Sequence, residues 1–169
     1  MIGGIPNVGK STIINSLRKR DEGIEHGKKS GARVGANPCV TKSFSGFKII
    51  SDPLVYMVDS PGIIMPKIKE DSEDGLKLSL VNSIRDGILE KEYVCDYLLY
   101  KLNKEGVFNY CTRYDLPMRR PTNSIHDFMG SLMKRMNVVD KNIACDVFLR
   151  DFREGILGKI TLDSIDQLN

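Results

Sequence analysis

Gly4-Ile5-Pro6-Asn7-Val8-Gly9-Lys10-Ser11 sets two glycines, a lysine and a serine in the order G-x-x-x-x-G-K-S. That spacing suits one task. The glycines let the backbone curl so that successive N–H groups point inward at phosphate oxygens. Lys10 then supplies a point charge to the β- and γ-phosphates, and the Ser11 hydroxyl is placed to ligate Mg²⁺. On typical residue frequencies the bare pattern arises by chance in about one chain of this length in two hundred, so further residues must support it. Asp59-Ser60-Pro61-Gly62 does so from the end of the apolar run Leu54-Val55-Tyr56-Met57-Val58. An Asp at the end of such a strand is where phosphate-loop proteins hold the metal shell, and a Gly three residues on can offer its N–H to the terminal phosphate. Thr41 lies between the two motifs in a loop rich in Gly, Lys and Arg. It is suitably placed for a switch threonine that closes over Mg²⁺, although an ordinary loop hydroxyl would look the same. The expected phosphate contacts are therefore Asn7, Val8, Gly9, Lys10, Ser11, Thr12 and Gly62. The expected metal ligands are Ser11, Thr41 and Asp59, and no residue is assigned a catalytic role.

These side chains need elements to carry them. Lys10 to Arg20 holds Ile13, Ile14 and Leu17 at helical spacing, which predicts a helix whose positive dipole end faces the phosphates. A basic loop over 21–43 leads to a strand near Phe44–Ile50, a turn at Ser51-Asp52-Pro53 and the strand 54–58. The loop lies so close to Met1 that the strand which normally precedes it is expected to be missing or to lie elsewhere. From about Ser72 the pattern becomes helical. One candidate uses Leu76, Leu78, Leu80, Val81 and Ile84. A second shows Tyr93, Val94, Tyr97, Leu98 and Leu102 and ends at Gly106. A third starts from Asn123 as N-cap and runs to Met136 through Ile125, Phe128, Met129 and Leu132. A last one runs from Asn142 to Ile156 through Ala144, Val147, Phe148, Leu149 and Phe152 and stops at Gly158. The aromatic and Met stripes read as core contacts. The segment Arg113–Pro121, with Arg119-Arg120 before Pro121, reads as a solvated basic connection. The expected fold is α/β: a partial P-loop domain over 1–71, followed by an all-α helical domain over 72–169.

Composition narrows the class. A chain of 169 residues is long enough for a sizeable core, and no stretch approaches the length of a membrane helix. The net charge of +3 conceals an asymmetry: residues 1–50 hold nine Lys/Arg against three Asp/Glu. Such a surplus can offset triphosphate charge, stay solvated, or meet a polyanion such as RNA. Cys39, Cys95, Cys111 and Cys145 are widely separated with no C-x-x-C pair, which suggests neither a disulfide framework nor a zinc site and fits a reducing compartment. His26 and His126 stand far apart in polar contexts and read as surface residues.

The segments Gly4–Asn15, Val34-Gly35-Ala36-Asn37-Pro38-Cys39-Val40-Thr41-Lys42 and Asp59-Ser60-Pro61-Gly62-Ile63 together resemble the circularly permuted GTPases that assist ribosome assembly. Gly75-Leu76-Lys77-Leu78, Asp96–Lys104 and Phe152-Arg153-Glu154-Gly155-Ile156-Leu157-Gly158 resemble the mitochondrial branch of that family, and the similarity covers nearly the whole chain. In that family the base-reading N-K-x-D motif precedes the phosphate loop. None follows Gly62 here, and Asn103-Lys104-Glu105-Gly106 fails the pattern. The resemblance implies GTP and Mg²⁺ as ligands, and K⁺ held by Asn7. It implies action in assembly or translation on the mitochondrial large ribosomal subunit and its rRNA, in the matrix, with no DNA partner and with peripheral inner-membrane association as a further expectation. The helical part, with Arg119-Arg120, would contact the rRNA. Cys39 stands where the family usually has Gly, and Ser60 where it usually has Thr. Ile63 occupies the place where other GTPases carry a water-orienting Gln. An isoleucine cannot polarise water, so hydrolysis is expected to be slow until the ribosomal particle completes the site.

Two other readings fit the residues. One is a non-enzymatic ribosome- or RNA-binding fragment that has lost productive nucleotide binding. The other, an ATP-using P-loop enzyme, fits less well, because Asp59-Ser60-Pro61-Gly62 is the GTPase form of that motif.

Overall fold

The computed structural model describes residues 1–20, 31–32, 34–35, 41, 43–63 and 72–163. His26, Cys39 and most of the basic loop 21–43 lie outside these residues. Among the described residues there are six helices and one two-stranded sheet. The chain forms two compact units, Met1–Ile68 with Asn82–Arg85, and Lys69–Val81 with Asp86–Asn169. No helix among the described residues is long and apolar enough to cross a membrane.

In the first unit, α1 (Lys10–Arg18) leaves the phosphate loop directly, and β1 (Ser45–Ile50) pairs antiparallel with β2 (Val55–Asp59). The register sets Ser45 opposite Asp59 and Phe47 opposite Met57, with an irregularity between Lys48 and Ile50. Ile14, Ala32 and Ile49 form the buried centre, with Ile2, Leu17, Phe47, Val55 and Met57 packed around it. Ile14 is therefore the residue of α1 that fixes the helix against the sheet. Arg18 is also buried, its guanidinium 5.7 Å from the centre of the Phe47 ring. Ahead of the phosphate loop, where the preceding strand was expected to be missing or to lie elsewhere, there is a single point of pairing. Ile2 makes one parallel bridge with Asp59, its N–H donates to the Val58 carbonyl at 2.9 Å, and Ser60 Oγ donates to the Ile2 carbonyl at 2.8 Å.

The second unit holds α2 (Glu73–Leu80), α3 (Lys91–Lys104), α4 (Asn109–Arg113), α5 (Ile125–Met136) and α6 (Lys141–Arg153). Its core is an aromatic cluster. The Phe128 and Phe148 ring centres lie 4.5 Å apart, Tyr110 meets Phe128 edge-on at 5.6 Å, and Tyr114 reaches both Phe rings. Such pairs contribute about 0.5–1.5 kcal/mol each beyond the area they bury. Val94, Cys95, Leu98, Leu99 and Leu102 of α3, and Ala144, Cys145 and Leu149 of α6, complete the buried faces. Asp151 is buried within this unit, where Oδ2 accepts from Arg113 Nε at 2.9 Å and from the Tyr114 hydroxyl at 3.0 Å.

Several helix details differ from expectation. The inward stripe of α3 includes Cys95 and Leu99, while Tyr93 is exposed. The N-cap of α5 is Ser124, whose Oγ accepts from the Asp127 N–H at 3.2 Å; Asn123 instead accepts from Asn103. Helix α6 ends at Arg153, ahead of Gly158. Gly155 takes φ 76°, and the Ile156 N–H closes back to the Asp151 carbonyl at 2.9 Å, a C-terminal turn that favours glycine. Helix α2 stops at Leu80, leaving Ile84 buried outside it. The expected basic connection is exposed at Arg113, Asp115 and its tip with Arg119 and Arg120, but it also contains the end of α4 and two buried anchors, Tyr114 and Leu116.

Candidate functional site

Pro6 in the middle of the phosphate loop and Ile14 of α1 are buried, and the residues between them are exposed to varying degrees. Asn7 adopts φ 60° and Gly9 φ 87°. Gly9 thus turns the chain into α1 in a conformation that costs other residues more. Helix α1 has no side-chain N-cap bond and no acidic residue in its first turn. Gly9 has no side chain with which to cap the helix's first N–H groups, and the dipole end favours an anion. Lys10 folds over the loop, donating to the Gly4 carbonyl at 3.1 Å and the Ile5 carbonyl at 2.7 Å. An ammonium has three donors, so this posture leaves charge and a hydrogen for a phosphate. Val8 and Thr12 are exposed on either side.

The three expected metal ligands, far apart in sequence, meet. Ser11 Oγ donates to Asp59 Oδ2 at 2.6 Å, and Thr41 Oγ1 lies 3.4 Å from both Ser11 Oγ and Asp59 Oδ2. Asp59 is only 1% exposed, and its Oδ1 is buried with no hydrogen-bond partner among the described residues. A buried carboxylate oxygen left this way is costly. Two hydroxyls and a carboxylate are hard oxygen donors of the kind Mg²⁺ takes, so the residues present fit that ion. Among the described residues no cluster of His, Cys, Asp and Glu offers a different metal site.

Gly62 lies against the loop itself. A Cβ there would fall 2.5 Å from Pro6 Cγ and 2.8 Å from Pro6 Cα and N, so only glycine fits. The Ile63 N–H donates to the Gly4 carbonyl at 3.1 Å, while its side chain is 69% exposed. The segment just after β2 is thus joined to the phosphate loop by a hydrogen bond and a close approach, in addition to the Ser11–Asp59 bond.

Other residues are distant or differently engaged. His126 is 80% exposed, 3.6 Å from Glu92. Asn103 uses its amide to hold the Thr122 carbonyl and Asn123 while accepting from the Tyr110 hydroxyl at 2.6 Å. Cys95, Cys111 and Cys145 are free thiols in the second unit's core; burial pushes the Cys111 thiol up.

Sequence reasoning missed three groups at the site. Asn15 grips the Ala32 backbone from both sides, Nδ2 to the carbonyl and the N–H to Oδ1, each at 2.9 Å. Asn7 Nδ2 donates to the Asn82 carbonyl at 2.6 Å, and Ser83 Oγ donates to the Pro6 carbonyl at 2.8 Å. An asparagine one turn into α1 was a visible signal for the first. The other two depend on backbone carbonyls, which leave no mark in a sequence.

A loop closed on a helix N-terminus, beside a strand ending in a buried Asp, defines the phosphate-loop class of nucleotide-binding proteins. A family model described as "50S ribosome-binding GTPase" matches residues 1–115, and the chain belongs to that family. It is 39% identical to "Mitochondrial GTPase 1" of Aedes aegypti, over 96% of this chain and 54% of that protein. It is 38% identical to "Mitochondrial ribosome-associated GTPase 1" of Mus musculus, over 96% of this chain and 53% of that protein. Against "Mitochondrial GTPase 1" of Schizosaccharomyces pombe the identity is 37%, over 97% of this chain and 49% of that protein. The chain thus spans about half the length of the curated relatives it matches.

Proposed function

We propose that this chain carries the phosphate- and metal-binding part of a mitochondrial GTP hydrolase that acts in assembly or translation on the large ribosomal subunit. The observation that carries this reading is the meeting of Ser11, Thr41 and Asp59 beside the uncapped start of α1, with Asp59 Oδ1 buried and unsatisfied. The relatives' printed names support the mitochondrial and ribosomal parts. In this reading the GTPase part comprises residues 1–71, with Asn82–Arg85 returning to it, and the rest of 72–169 forms a helical domain that meets rRNA through the exposed Arg119-Arg120 tip. The permuted order places the guanine-reading motif ahead of the phosphate loop.

The loop N–H groups from Asn7 to Thr12 and the Lys10 ammonium bind and orient the phosphates. Ser11, Thr41 and Asp59 hold Mg²⁺, which when bound neutralises charge building on the β- and γ-phosphate oxygens. Asn7 holds K⁺ beside them. Gly62 offers its N–H to the γ-phosphate, and because it rests on Pro6 its position follows the loop's. Ile63 presents an apolar, exposed side chain where a water-orienting group would act. The chain therefore binds and positions the triphosphate, and the ribosomal particle supplies what accelerates water attack.

The test is a titration of fluorescent GTP and ATP with Mg²⁺ against this chain and against one extended upstream. Preference for GTP in the extended chain, lost in Asp59→Ala, is the expected result. Preference for ATP, or no binding of either nucleotide by either chain, overturns the reading.

A further inference from the structure

Pro6 and Asn7, at the middle of the phosphate loop, are held by a segment that no nucleotide-binding motif includes. Ser83 is fully buried and its Oγ donates to the Pro6 carbonyl at 2.8 Å, while the Asn82 carbonyl accepts from Asn7 Nδ2 at 2.6 Å. Asn82 reaches this position with φ 55°, in the left-handed region. Pro6 is already in contact with Gly62, whose missing Cβ would fall 2.5 Å from Pro6 Cγ. One proline is therefore gripped by Gly62 on one side of its chemistry and by Ser83 on the other.

The segment is also anchored at both ends. Residues 82–85 group with the phosphate-loop unit, whereas the residues just before and after them belong to the helical unit. Within that helical unit a single guanidinium holds both flanks. Arg153 Nε donates to the Leu80 carbonyl at 3.1 Å and Nη2 to the Ser79 carbonyl at 2.9 Å, while Nη1 and Nη2 fork onto the Asp86 carboxylate at 3.1 and 2.8 Å. The guanidinium fork has a fixed shape. It therefore fixes, within the helical unit, the chain on either side of residues 82–85.

We propose that Ser83 and the Asn82 carbonyl are positioning groups of the phosphate loop, and that nucleotide occupancy is relayed through Pro6 and Asn7 to segment 82–85. This rests on the reading of the loop as a nucleotide site. A phosphate in the loop tightens the Pro6–Asn7 backbone, and the two hydrogen bonds transmit that tightening to the segment. The Asn82 bond leaves the Asn7 amide oriented, with its oxygen turned from the Asn82 carbonyl.

Hydrogen–deuterium exchange on the full chain, with and without the β,γ-imido analogue of GTP and Mg²⁺, reads both steps. In the wild type, nucleotide is expected to slow exchange in residues 4–11 and in residues 82–85. In Ser83→Ala, where only the Asn82 bond remains, saturating nucleotide still slows 4–11 but slows 82–85 less than in the wild type, and nucleotide affinity falls about tenfold, the scale of one buried acceptor left unpaired. Ser83→Thr, which keeps the hydroxyl, restores both. A wild type in which 4–11 slows while 82–85 does not overturns the relay, whether or not the variants fold. Nucleotide that slows neither segment overturns the phosphate-loop reading itself and the relay with it.

Discussion

At the scale of single residues, the site is governed by close approach and by pairing. Gly62 shows the first. Substitution by Ala places a methyl carbon 2.5 Å from Pro6 Cγ and 2.8 Å from two Pro6 backbone atoms. The backbone cannot yield independently, so overpacking of about 1–3 kcal/mol is expected. Gly62→Ala is predicted to lower the melting temperature and to weaken fluorescent-nucleotide binding at least about tenfold, since about 1.4 kcal/mol is a factor of ten. A variant that binds as tightly as the wild type would show that the contact does not constrain the loop. Asp59 shows the second. Its placement at the end of β2 was legible from the apolar run before it, but the unsatisfied Oδ1 appears only once the strand is buried.

Among the elements, helix ends carried more information than helix middles. Asn123 and Ser124 can both cap a helix; the choice fell to Ser124 because Asn123 is held by Asn103, which is itself fixed by Tyr110. A sequence places two good caps side by side and cannot say which is already engaged. The end of α2 is held from α6, where Arg153 caps its last carbonyls and pairs with Asp86. The hydrogen bonds from Arg153 hold the Asp86 carboxyl below its ordinary range, against the opposing effect of burial. A depressed carboxylate stabilises the fold above its unfolded pKa, about 3.9, and loses that contribution as pH falls through the lower folded value. Asp86→Asn is therefore predicted to cost about 1 kcal/mol at pH 7, a modest figure because the pair is partly solvated. The gap to the wild type should close below about pH 4 in thermal unfolding. A gap unchanged down to pH 3 would show that the carboxylate charge contributes nothing.

At the scale of the whole molecule, the proposed rRNA contact can be tested at one exposed turn. Arg119 and Arg120 are exposed on a turn in which Met118 and Arg119 both take φ 51°, while Tyr114 and Leu116 anchor its approach in the core. Non-glycine residues hold such angles only where their surroundings impose them. Reversal of both charges is predicted to weaken binding to the large-subunit particle and to make its salt dependence less steep by about two in log–log slope, if each arginine neutralises one phosphate. An unchanged slope would remove this turn from the interface.

The sequence by itself determined the phosphate loop, the helix after it and the β1–β2 pair, and it named Ser11, Thr41 and Asp59 as candidate ligands. Each belongs to a local pattern whose chemistry depends on residue type and spacing. Only the tertiary structure decided that Gly62 rests on Pro6, that Asn15 clamps Ala32, and that Asn82 and Ser83 hold the loop. Those contacts join residues up to 77 positions apart. All but the Gly62 contact run through backbone N–H and carbonyl groups, which every residue but proline carries alike, so no residue type could announce them.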